Sequence, residues 1–177
     1  MTAFTLKPFG EDLVTASLKI TGDLARRGSS LSWHYELRGN LKAVALPLPA
    51  ARPARRHGLW EDTCFEFFLA EEKAEGYWEV NLSPAGHWNV YRFDAYRQGM
   101  QEEPAIAALP FTVQREADVF RLEVTMDLGG LIPADKALEA GLAAVIKGQD
   151  GSMSYWALTH PGPHPDFHRR EAFIIRL

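Results

Sequence analysis

The sequence predicts an all-β fold, a two-sheet antiparallel β-sandwich with little helix, and three observations carry that expectation. Helical periodicity is nearly absent along the chain. Short runs in which apolar and polar residues alternate with period two recur between turn signals, as a sandwich or barrel requires. The 177 residues, 46% of them hydrophobic, suffice for one domain spanning 1–177 with a substantial core, and are few for two.

Residues 13–20 alternate through Val14, Ala16, Leu18 and Ile20, and residues 30–38 through Leu31, Trp33, Tyr35 and Leu37, stopping at Gly39-Asn40. The stretch ALPLPAARPARRHG follows, and its prolines, which donate no ladder hydrogen bond, make it a connection and not a central strand. Thr63–Leu69 is the next strand, ended by the charged turn EEKAEG. Tyr77–Ser83 and Trp88–Asp94 flank Pro84-Ala-Gly86 and form an antiparallel hairpin. Strands are expected at 111–116 and at 119–128, where Phe120, Leu122, Val124, Met126 and Leu128 alternate with Arg121, Glu123 and Thr125 and Asp118 occupies the turn before them. LIPADKALEAGLAAVIKG reads two ways in its first half, as a short helical turn after Pro133 or as loop, while LAAVIKG reads as a strand. Strands at 153–159 and 172–177 complete the chain, which contains no internal repeat or domain linker.

The hairpin carries polar residues in strand interiors. With a four-residue loop from Pro84 to His87, Ser83 faces Trp88, Asn81 pairs with Val90 and Glu79 with Arg92. Trp78, Val80, Leu82, Tyr91 and Phe93 then face the core, and Glu79, Asn81, Arg92 and Asp94 lie on the other face beside Trp88. Glu–Arg neighbours across such a pair attract by about 0.2–1 kcal/mol. CFEFFL continues the pattern, with Phe65, Phe67 and Leu69 on one side and Glu66, Cys64 and Phe68 on the other. Carboxylate, amide and guanidinium groups near tryptophans suit a sugar, whose hydroxyls ask for planar polar partners and whose C–H face stacks on indole. A solvated outer face with ordinary salt bridges is the competing account.

Composition narrows the partners. A net charge of −4 provides no broad basic field, so nucleic acid is not expected, and Arg52-Pro-Ala-Arg-Arg-His57 reads as a solvated loop. No run approaches the roughly 18 apolar residues of a membrane span. The first twenty residues lack a signal-peptide pattern, and the single Cys64 cannot form an internal disulfide, so a cytoplasmic protein is expected. Cys64, in an apolar run, reads as a small strand residue and not as a nucleophile. THPGPHPDFHRR gathers His160, His164, Asp166 and His168, but its spacing matches no zinc signature, so no metal is expected. No Ser/His/Asp arrangement, phosphate-cradling loop or dinucleotide fingerprint is present, and neither a catalytic residue nor a cofactor is assigned. Glu66 and Glu79 are the one carboxylate pair that a glycoside-cleaving enzyme could use.

Three segments, LWEDTCFEFFL, YWEVNLSPAGHWNVYRFDAYRQGM and ALTHPGPHPDFH, resemble DOMON-like proteins related to family 9 carbohydrate-binding modules. The resemblance spans about Leu59 to His168 and implies a sandwich of about ten strands. It also implies a non-catalytic protein binding a small polar ligand, a sugar or glycan, with the chain closer to stand-alone bacterial members than to modules attached to xylanases. In the sugar-binding relatives two exposed tryptophans hold the sugar. Trp60 and Trp156 resemble that pair, Glu66, Asn81 and Arg92 fall where polar contacts are expected, and His160 and His168 are the contacts implied in the last motif. Glu79 and Trp88 complete the candidate set from the hairpin. The wider superfamily also contains haem-binding electron-transfer proteins with Met and His or Lys axial ligands, which stands as the alternative beside a carbohydrate-active enzyme, although Met126 fits the core alternation of its strand.

Overall fold

The computed structural model describes residues 1–10 and 15–177. Twelve strands form in order: β1 Thr2–Pro8, β2 Leu18–Arg27, β3 Ser30–Gly39, β4 Cys64–Glu71, β5 Tyr77–Leu82, β6 Trp88–Phe93, β7 Gln101–Glu102, β8 Phe111–Arg115, β9 Val119–Asp127, β10 Leu138–Lys147, β11 Met153–Ala157 and β12 Ile175–Arg176. Helix among the described residues is limited to three-residue 3-10 turns, of which Leu59–Glu61 matters below. No helix is long and apolar enough to cross a membrane.

All pairing between these strands is antiparallel, in the order β7-β6-β5-β4-β10-β11-β1-β2-β3-β9-β8, with β12 beside β10. The two layers expected from the sequence are therefore halves of one curled ladder, joined through β1. That strand pairs with β2 along Thr2–Leu6 and, at its far end, with β11 through Lys7↔Ala157 and Pro8↔Trp156. The halves pack face to face. Trp33 of β3 stacks on Phe67 of β4 with ring centroids 4.6 Å apart, and Phe65 lies between Phe120, 5.3 Å away, and Tyr35, 5.1 Å away. Met126 is buried in this core, as its alternation requires.

Several boundaries differ from expectation for local reasons. Residues 13 and 14 of the first expected strand lie outside the described residues; Thr15–Ser17 is a 3-10 turn, and the strand runs on to Arg27. LEAG belongs to β10, which is buried on both faces and so shows no alternation. The last expected strand, 172–177, shrinks to Ile175–Arg176 after a 3-10 turn at Arg170–Ala172. β1 and the two-residue β7 form where no strand was expected.

Candidate ligand-binding site

The outer face of the β4–β5–β6 half is apolar at one end and polar in the middle. Glu66 lies opposite Asn81 across the β4–β5 ladder, and Phe68 opposite Glu79, so both glutamates and Asn81 share a face with Cys64. The neighbouring β6 brings Asn89, Tyr91 and Phe93 to this face, because the pairs are Asn81↔Asn89, Glu79↔Tyr91 and Tyr77↔Phe93.

This register is one residue away from the expected one. Ser83 leaves the strand: its backbone N–H donates to the His87 carbonyl, its carbonyl accepts from the Gly86 N–H, and its Oγ accepts from the Ala85 N–H at 3.2 Å. Gly86 adopts φ +94°, a left-handed conformation that suits glycine. The loop thus spans five residues, and a slip of one residue exchanges the faces of β6. Arg92 lies opposite Trp78, on the face of Val80, and not beside Glu79; Tyr91 and Phe93 are buried in a second apolar cluster on the outer face, and Trp88 joins the core between the halves. Trp88 is covered there by the Arg55 guanidinium, 4.5 Å above its ring.

Loops roof the outer face into a cavity of about 370 Å³. Trp60, Glu66, Glu79 and His168 line it, and Asn81 lies beneath as a buried link. Trp156 does not reach it: its indole packs in the core, and Nε1 donates to Ser154 Oγ at 3.0 Å. His160 sits elsewhere, with Nε2 2.8 Å from the Lys7 carbonyl oxygen. Unexpected contributors are Phe93, Arg97, Tyr155 and Phe167. Tyr155 takes the place expected of Trp156 because alternation leaves only one of two adjacent aromatics on each face. Among the described residues no group of three or more His, Cys, Asp and Glu is placed to hold a metal ion, since Asp166 is engaged by Tyr96 and Arg97 and His160 is turned to β1.

The polar floor is organised around two buried carboxyls. Asn81 Nδ2 donates to Glu79 Oε1 at 2.7 Å, while Asn81 Oδ1 faces the Cys64 thiol at 3.6 Å. Glu66 is 4% exposed and, among the described residues, its carboxyl has no hydrogen-bond partner. Burial, together with the negative charge of Glu79, pushes the Glu66 carboxyl well above the usual range. Burial likewise raises Glu79 to about 7, opposed by its bond from Asn81 and by the Arg97 charge. The imidazole of His168 is held neutral, lowered to about 4 by burial and then by Arg97. The Tyr77 hydroxyl accepts the Arg97 backbone N–H at 3.2 Å and lies 2.8 Å from His168 Nδ1, while His168 Nε2 lies 3.8 Å from Glu79 Oε2. Trp60 forms the rim, edge-on to His57 and Tyr91.

Arg92, by contrast, has a half-exposed side chain whose one ionic neighbour is Asp94 at 3.8 Å. Arg92→Ala should change stability by no more than about 0.5 kcal/mol and leave ligand affinity untouched, as thermal melting and calorimetric titration would establish.

No family model and no curated protein matches the chain. Solved structures do match. A protein from Bacteroides uniformis described as carbohydrate-binding is 14% identical, with a TM-score of 0.70 over 97% of this chain and 83% of that one. A family 9 carbohydrate-binding module from Caldicellulosiruptor kristjanssonii in complex with glucose is 11% identical, with a TM-score of 0.53 over 88% of this chain and 72% of that one. The structure of a family 9 module from the same organism with cellotriose is 10% identical, with a TM-score of 0.57 over 92% and 74%. At these identities the likeness is one of fold: the chain is similar in fold to carbohydrate-binding proteins, including family 9 modules, whose all-β, curled antiparallel architecture it has.

Proposed function

We propose that the protein is a non-catalytic, DOMON-like binder of a small polyhydroxylated ligand, a sugar or glycan end, held in the cavity above Glu66 and Glu79. The observation that carries this reading is the combination of an unpartnered buried carboxyl, Glu66, with an aromatic rim and walls supplied by Trp60, Phe93, Tyr155 and Phe167. Such a site combines stacking surface with a few fixed polar groups, and about 370 Å³ falls in the range of roughly 300–1,000 Å³ common for small-molecule pockets. The fold neighbours solved with glucose and cellotriose support the same chemical class.

Calorimetric titration with glucose, cellobiose and cellotriose tests it. Trp60→Ala should weaken whichever of these binds by about 1–3 kcal/mol, because an aromatic anchor at a rim contributes on that scale. Wild-type protein that takes up none of them, and neither glucosamine nor N-acetylglucosamine, at millimolar concentration would remove the reading.

The paired carboxyls give a glycoside-cleaving role a hearing too. Burial is the largest cause of the rise in both Glu66 and Glu79, however, so one environment acts on both, whereas such enzymes separate the two roles by environment. Binding is therefore the better account of the pair.

A further inference from the structure

The cavity holds two buried carboxyls, and one of them has no hydrogen-bond partner among the described residues. We infer that the ligand is an aminated sugar, its protonated amine seated against the carboxyls of Glu66 and Glu79; this rests on the sugar reading above. Arg97 is the one cation lining the cavity, and its Nη2 is already bonded to Asp166 Oδ1 at 2.9 Å. His168 contributes no charge, for the reasons given above. Two buried carboxyls thus face the cavity with only the Arg97 charge, shared with Asp166, acting on them, and Glu66 has no hydrogen-bond partner among the described residues.

An ammonium group supplies both missing elements. It brings three donors to the unpartnered carboxyl, and its positive charge lets that carboxyl ionise where burial alone would not. The walls favour the same ligand, since aromatic faces attract cations within about 6 Å of the ring centre. The proton balance is definite: the amine arrives and remains as –NH3⁺, a carboxylic acid becomes a carboxylate, and its proton passes to the buffer. The other titratable groups around the pair do not absorb that proton. Cys64 and Tyr77 are protonated already, burial raising both, His168 is held neutral by burial, Arg97 and Asp166 are paired, and Tyr91 bonds to Asn89 with Glu102 beside it.

The test is calorimetric titration at about pH 6.5, in two buffers of different ionisation enthalpy, with glucosamine, glucose, N-acetylglucosamine and cyclohexylamine. Glucosamine should bind at least tenfold more tightly than glucose or N-acetylglucosamine, and only its apparent enthalpy should depend on the buffer, reporting a released proton. Glu66→Gln should abolish both the preference and the proton release. Because the proton count is read on wild-type protein, a variant that misfolds leaves the test intact, and Glu79→Gln provides a second variant. Equal affinity for glucose and glucosamine without proton release overturns the amine inference while the sugar reading stands. Binding of cyclohexylamine alone overturns the sugar reading and the aminated-sugar ligand with it. Binding of none of the four overturns both.

Discussion

Phe65→Ala should destabilise the protein by about 3–5 kcal/mol, the range for removing a fully buried ring from a close-packed core. Phe65 is wholly buried on β4, its ring nearly parallel to Phe120 of β9 at an interplanar angle of 10° and close to Tyr35 of β3. The ring is therefore a contact between the two halves of the curled ladder. Against a total stability of about 5–15 kcal/mol for a domain, such a loss is a large share. Phe65→Leu should recover part of it by refilling volume. The effect should also reach the cavity, because the Tyr35 hydroxyl donates to the Glu66 carbonyl oxygen at 2.6 Å and ties the core to the site floor. Urea unfolding monitored by tryptophan fluorescence measures this; a midpoint close to that of wild type would mean that the halves do not depend on this packing.

Glu66→Gln should stabilise the protein above neutral pH and flatten its pH dependence. A carboxyl raised in the folded state binds its proton more tightly there than in the unfolded chain, so its contribution is present at low pH and is lost as pH rises through the folded value. Glu79 behaves this way between about 4.5 and about 7. His168 has the opposite sign: lowered from 6.5 to about 4, it contributes stability above the unfolded value that is lost as pH falls. Through the middle of this interval the folded protein keeps a proton on Glu79 and none on His168, and the unfolded chain does the reverse. The proton counts agree and the two slopes offset. What remains is Glu66, whose ionisation in a buried setting without a hydrogen bond costs on the order of 1–3 kcal/mol. Wild-type melting temperature should therefore fall as pH rises beyond the interval in which Glu79 and His168 offset each other, while the Gln variant falls less and melts higher by roughly 2–12 °C at the alkaline end. Parallel curves for the two proteins would show that Glu66 titrates as an ordinary surface carboxyl.

Legibility in the sequence followed solvent exposure. β3 and β9 were plain because one face of each meets water or polar neighbours, so Leu31 to Leu37 and Phe120 to Met126 alternate openly. β4 was readable for a different reason: CFEFFL is short, aromatic and bounded by turns, and its face assignment, with Glu66 opposite to Phe65 and Phe67, holds in the structure. β10 blurred because burial on both sides erases the period. β1 contributes only Phe4 and Leu6 to the core, too few for a pattern.

For the site, Glu66, Glu79 and Asn81 were accessible because a polar residue inside an otherwise apolar strand is visible without coordinates. Arg92 and Trp88 were misplaced by one residue of loop length, because Ser83 joins the turn through backbone bonds to His87 and Gly86 and through the bond from the Ala85 N–H to its hydroxyl. Nothing in Pro84-Ala-Gly86 announces those bonds. Arg97 and Phe167 line the cavity from loops, and period-two reasoning says nothing about such residues.

The position of β1 bears on how the chain is assembled during synthesis. Lys7 and Pro8 meet Ala157 and Trp156, the Phe9 N–H donates to the Tyr155 carbonyl oxygen at 2.7 Å, and His160 reaches back to Lys7, so the join between the two halves uses residues some 150 positions apart. A ribosome must have released the chain through β11 before that join can form. Until then β1 has an unpaired backbone edge near Lys7, of the kind that recruits foreign strands. A nascent chain stalled before β11 should accordingly be a client for chaperones, and His160 acts less as a ligand contact than as a late clasp across the join.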